Sequence, residues 1–246
     1  MIDLRRFTLG DMTELGSALR RLGDGAGSME QVATAVARHL YVRLVDSGTG
    51  GSACALVRFF KTHPYGALSP ELQRFARGML MGELPRVDVP CLTLLGTAGD
   101  EPAWNDARRS VGHRAIPLIS KEMVSQAPMI SSLLQQLGVE IDVLLRSDAN
   151  LLDHDASSFN VFYVPEASDS AFIPAQAGFV RAHGIRSVLG FGGMLLSGDI
   201  FAVILFSKVA IPRETAELFR TLALNVKMAV LPFDELIFGL GESGAP

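Results

Sequence analysis

Cysteine is nearly absent: the chain of 246 residues holds two, Cys54 and Cys91, each inside an apolar, strand-like run. Thiols placed in that way read as buried and inert, which excludes a disulfide framework, and no C-x-x-C pair is present to hold zinc or run dithiol chemistry. Charge is modest and balanced, with Lys+Arg 22 against Asp+Glu 26 and a formal net charge of -4. Without a basic block to neutralise a row of phosphates, nucleic acid is not expected as a partner. The longest purely apolar run, Ile200 to Phe206, has strand length and falls far short of the roughly 20 residues that a bilayer crossing needs, so no membrane span is expected. The opening residues, MIDLRRFTLGDM, lack a continuous apolar segment and a small-residue cleavage site. No secretory leader is read there, and a cytoplasmic location is the expectation.

Catalytic patterns are missing as well. The five histidines, at 39, 63, 113, 154 and 183, never fall at H-x-H or at a helical spacing from a carboxylate partner. Asp153-His154-Asp155 comes nearest to a metal-ligand cluster, but adjacent residues on an extended loop point different ways, so no metal is expected. Gly48 to Gly51 precedes a strand and Gly190-Phe191-Gly192-Gly193 lies within one, whereas a phosphate cradle needs strand, glycines and then helix. Relief of crowding at a bulge or bend is the better role for these glycines. No G-x-S-x-G elbow occurs, and catalysis has no residue to rest on.

What the chain does have is apolar substance. Hydrophobic residues make up 48% of it, enough for one large core with apolar surface left to close against a partner, which favours a homodimer. The organising stretch runs from Gly184 to Leu231: a strand from Ser187 to Leu195, a Leu196-Ser197-Gly198-Asp199 turn, a strand from Ile200 to Val209, and a long helix opened by Pro212. The turn has a glycine for the positive φ that a tight hairpin needs, and proline suits a first helical position.

Ahead of it, Met12, Leu15, Leu19 and Leu22 form an apolar stripe on a helix starting near Asp11. Ser28 and Gln31 make a capping box for a second helix carrying Met29, Val32, Val36 and Leu40. The strand ACALVRFFK, Ala53 to Lys61, places Cys54, Leu56, Arg58 and Phe60 on one face. Arg58 is the odd member, with two readings: a cation snorkelling from a strand end, or an anion-binding group. Ser69-Pro70-Glu71 starts a helix through Met81, and Cys91 to Gly99 is a buried strand. The polar insertion that follows, to Leu118, carries Trp104, Arg108, Arg109 and His113, and reads either as a lid or partner contact or as a surface loop anchored by Trp104. Ser120 caps a helix to Leu137 divided by Pro128, strands are expected at 139–145 and 159–164, and Pro174 opens a helix ending near Ala182.

In the last helix Ala216, Phe219, Ala223, Val226 and Val230 alternate spacings of three and four, a seam of the coiled-coil type. Together with Leu15 and Leu19 on the first helix, these residues are the expected dimer interface. Residues 232–246 read as a tail.

GIRSVLGF, the Ser-Gly-Asp turn, FAVILFS and PRETAELFRTLALNVKMAV resemble the C-terminal half of GAF domains, and a weaker correspondence extends back to the Ala53 strand and the helix before it. The resemblance implies one elaborated α+β domain over 1–246: a GAF-like, PAS-related central antiparallel sheet (53–209, with helical and loop insertions) flanked by N-terminal helices (11–46) and a C-terminal helix (212–231). It also implies a cytoplasmic sensory or regulatory domain of a signal-transduction protein, homodimeric through its terminal helices. Such a domain binds a small molecule or partner and is fused to, or works with, an output domain such as a kinase, cyclase, phosphatase or regulator. The pocket would be lined by Trp104, His113, Phe162, Tyr163, Phe172, Phe179 and Arg186, with the ligand or cofactor unknown. The signatures of cyclic-nucleotide-binding, bilin-binding and methionine sulfoxide reductase members are absent. Two alternatives stand beside it: a ligand-free dimerisation module, and an enzyme on the same frame.

Overall fold

The computed structural model describes residues 1–139, 144 and 160–238. The strand expected over 139–145, apart from Val139 and Leu144, and the Asp153-His154-Asp155 loop lie outside the described residues, as does the GESGAP terminus.

The chain begins with a two-residue strand β1 (Ile2–Asp3), and α1 (Leu9–Arg20) follows. The start of α1 is set by Thr8, not by Asp11. The Thr8 hydroxyl accepts from the Asp11 amide while the Asp11 carboxylate accepts from the Thr8 amide, a reciprocal box that satisfies two orphan donors. Helix α2 (Met29–Arg43) starts at Ser28 as its spacing predicts, and β2 (Leu44–Val45) pairs in parallel with β1.

Then come β3 (Cys54–Pro64), α3 (Pro70–Met79), β4 (Pro90–Gly99) and the short β5 (Ala115–Pro117). Pro128 divides the next helical segment into α4 (Lys121–Ser125) and α5 (Pro128–Gln136). After β6 (Asn160–Val164), a π-helical turn occupies Gln176–Arg181 where an ordinary helix is expected. The chain closes with β7 (Ser187–Met194), β8 (Ile200–Ser207) and α6 (Arg213–Val230), where Pro212 is the extended cap residue before the helix.

The six long-range strands form one sheet in the order β5-β4-β3-β8-β7-β6, with every neighbouring pair antiparallel. Gly198 at the hairpin tip has φ +85°, the left-handed conformation its turn demands. Helices α1, α2 and α6 cover one face, and α2 lies so close to β4 that a Cβ on Gly96 would stand 2.3 Å from the Ala33 carbonyl oxygen. The β3–β8 register shifts between Cys54 and Leu56, which moves Cys54 to the helix-covered face, opposite Leu56 and against the simple alternation read from the sequence.

The expected dimer seam is corrected by this packing. Leu15, Leu19, Ala216, Phe219, Ala223, Val226 and Val230 are all buried inside the chain, in the core between α1, α2, α6 and the sheet. Phe219 sits between Phe7 and Phe191, with ring centroids 5.0 and 5.6 Å away. A stripe already covered by its own sheet has no surface left to offer a second copy.

The residues after α6, read from the sequence as a tail, are docked as far as Phe238. The first amides of α2 donate to the carbonyls of Leu236 and Ile237, at 2.9 and 3.0 Å. The Asp234 carboxylate accepts from the Ser197 amide and hydroxyl at the hairpin tip. Fully buried Lys61 lies beneath, with its ammonium 2.6 Å from Asp199 and 3.6 Å from Asp234. Its neighbour but one, His63, is buried against the ring of Phe238 at 5.7 Å.

Candidate functional site

On the sheet face away from α1, α2 and α6, alternation along β3 presents Leu56, Arg58 and Phe60 to a cavity of about 310 Å³. Ile204 and Phe206 on β8, Leu92 on β4 and Ile116 on β5 complete its floor. Its walls come from three places: Trp104 and His113 on the insertion after β4, the α4–α5 joint at Ala127, Pro128 and Met129, and the segment Ile173 to Phe179.

The insertion is held firmly at its start. Asn105 folds back so that its amide oxygen accepts from Gly99 N at 3.1 Å and its nitrogen donates to the carbonyls of Gly99 and Glu101. That clamp orients the turn Pro102–Asn105 and with it Trp104. The indole stands 4.5 Å from the His183 ring and 5.7 Å from Phe179, which packs edge-on against Phe206 at 5.0 Å. The two sequence readings of the insertion therefore meet in one residue: Trp104 anchors the loop and lines the cavity.

Among the described residues the lining contains two titratable side chains, Arg58 and His113, and no carboxylate. The Arg58 Nη2 donates to the Ser110 hydroxyl at 3.2 Å, which in turn donates to the Gly112 carbonyl. Its Nε is buried without a hydrogen-bond partner. Loss of hydration pulls the guanidinium pKa down to about 10, which still leaves a cation at neutral pH. His113, held at φ 60° on the exposed rim, titrates below its usual range because of partial desolvation and the adjacent Arg58 charge, so it is neutral at pH 7.

Of the seven pocket residues read from the sequence, Trp104, His113 and Phe179 come together at this cavity. Phe162 is fully buried in the core beside it and is not in the lining. Tyr163 faces the helix-covered side, where its hydroxyl donates to the Ile211 carbonyl, because neighbours on a strand point to opposite faces. Phe172 is 42% exposed, and Arg186 is exposed on the surface while its backbone bridges Ser207 and Ala167. Phe60, Phe206 and Met129 are lining residues that the sequence reading missed. The period-two pattern already placed Phe60 beside Arg58, but nothing local marked that face as the open one.

Neither a protein-family model nor a curated protein matches the chain by sequence. Solved structures do match in shape. The free methionine-R-sulfoxide reductase from Neisseria meningitidis, in complex with its substrate, aligns with a TM-score of 0.50 at 10% identity over 93% of each chain. The phycocyanobilin-bound GAF domain of a cyanobacterial phytochrome aligns with 0.45 at 9% identity, covering 90% of this chain and 94% of that one. This chain has a GAF-like fold. An N-acylhomoserine lactone-dependent LuxR family transcription factor from Burkholderia cenocepacia aligns more loosely, with 0.44 at 12% identity over 90% of this chain and 97% of that one.

Neither cysteine of this GAF-like domain reaches the cavity. Cys54 lies in the helix-side core and Cys91 beneath α3, and burial pushes both thiols up to about 12. A thiolate nucleophile is therefore not available to a bound molecule there. Among the described residues no group of three metal-ligating side chains converges, and no helix is long and apolar enough to cross a membrane.

Proposed function

We propose that this GAF-like domain is a cytoplasmic sensory or regulatory module that holds a small molecule between its sheet and the insertion after β4, and passes occupancy on to an output domain. The observation that carries the reading is the cavity itself: about 310 Å³, walled by aromatic and aliphatic groups and marked by one part-buried cation whose Nε is buried without a hydrogen-bond partner. A concave, mostly apolar site with a few polar groups is what small ligands require, and this volume lies at the low end of the range of roughly 300–1,000 Å³ that such sites span. A cysteine-nucleophile activity is disfavoured by the inert thiols. A homodimer would have to use outward positions such as Leu224 and Met228 on α6, 47% and 39% exposed, because the inner seam is covered.

Native mass spectrometry of the purified chain tests the proposal. A discrete mass excess of a few hundred daltons that is lost on mild activation is expected. A bare chain that also shows no thermal stabilisation across a library of small organic molecules would favour the ligand-free module.

A further inference from the structure

We infer that the molecule this cavity takes is a small organic anion, a carboxylate or similar head on a compact apolar body, with Arg58 as the anchor of the head. The inference rests on the ligand-binding reading above and adds the chemical class.

A guanidinium inside an apolar wall is costly unless its donors and its charge are answered. Here one Nη is answered by the neutral Ser110 hydroxyl, and the Nε by nothing. Among the described residues no acidic side chain lines the cavity, and none opposes the loss of hydration that lowers the Arg58 pKa. A neutral ligand would leave the charge unbalanced. A ligand with its own carboxylate would place two acceptor oxygens against the planar fork, the geometry for which arginine is suited. Ser110, which is outside the lining, holds one arm of the fork before any ligand arrives. Neutral His113 on the rim adds a hydrogen-bonding group without a second charge. Trp104, Phe179 and Phe206 supply flat apolar walls for the body of the ligand.

The test uses a matched pair, 2-naphthoate and 2-naphthamide, alike in shape and different in charge, titrated calorimetrically into the full chain. The carboxylate should bind about tenfold or more tightly than the amide, the advantage expected of a charge-assisted hydrogen bond. Arg58→Met should erase that preference while leaving amide binding in place. Equal binding of the two probes by the unaltered chain would overturn the anion inference and leave the cavity reading standing. A preference that survives in Arg58→Met would overturn the role of Arg58. Binding of neither probe would overturn both. The comparison of probes on the unaltered chain needs no variant, so a misfolded Arg58→Met would not blunt it.

Discussion

The two faces of the sheet carry similar numbers of large apolar side chains and treat them in opposite ways. On one, α1, α2 and α6 press directly on the strands, close enough for Gly96 to touch the backbone of α2, and Phe219 is locked between two other rings. On the other, short helices, a π-helical turn and an insertion stand off from the floor, and Phe60, Phe206 and Trp104 surround space. The difference comes from the covering elements. A long amphipathic helix offers a continuous stripe to the sheet, whereas short pieces interrupted at Pro128 and Pro174 offer none and leave a gap. Close packing is therefore concentrated on the first face and open volume on the second.

The largest effect should come from forcing a charge into the closed face. Phe219→Glu places a carboxylate, without a counter-ion, at a position with no exposure, and a loss of about 3–5 kcal/mol or more is expected. Urea denaturation followed by circular dichroism should find the variant mostly unfolded, while Arg58→Met on the open face melts near the parent. A dimeric parent whose Phe219→Glu variant stays folded as a monomer would restore the dimer seam that its spacing suggests. Next in size is Lys61→Met, which strands Asp199 and Asp234 without the ammonium they share at the hairpin tip. A loss of about 2 kcal/mol is expected, below the range for a fully buried pair because both carboxylates keep some contact with water. Replacing Asp199 by Asn in the same variant should recover part of it. If the double variant is no more stable than Lys61→Met, the ion pair is not what holds the tip.

The closed face was the legible one. A helical stripe that ends up under its own sheet obeys the same three-and-four spacing as one that meets a partner, so Phe219 and Val226 were recognisable as buried but not as buried against what. Hairpin, cap and breaker chemistry is local, which is why the Ser197–Asp199 tip, the Ser28 and Ser69 caps and the Pro128 division were readable from residue type alone. The cavity depends on how far several elements stand apart, a quantity no short window contains. Trp104 and His113 were found because a polar insertion with a lone indole is conspicuous; Tyr163 was misplaced because neighbours on a strand face opposite sides, and Arg186 because it precedes β7 and lies at the surface. Lys61 gave no signal at all, since its partners Asp199 and Asp234 are distant in sequence.

A smaller effect separates the faces by pH. His63 is buried at the edge of the closed face, and neither ring nitrogen meets a hydrogen-bond partner in good geometry. Burial first, and then the neighbouring Lys61 charge, bring its pKa down from 6.5 to about 3, only partly offset by the nearby backbone of Lys61 and Thr62. The folded chain thus keeps this imidazole neutral where the unfolded chain protonates it. Below about pH 6.5 the unfolded state binds a proton that the folded state refuses, so stability is full above that point and declines as pH falls toward about 3, by at most about 1.4 kcal/mol per pH unit. His39 and His113 are lowered as well and act in the same direction, so the parent curve alone does not assign the effect. His63→Leu removes this one group and keeps an apolar side chain against Phe238. Chemical denaturation of both proteins at intervals from pH 7.5 to 4.5 should give curves that start close together and diverge on acidification, with the leucine variant the more stable at the acid end. Parallel curves would mean that His63 gains its proton without opening the closed face.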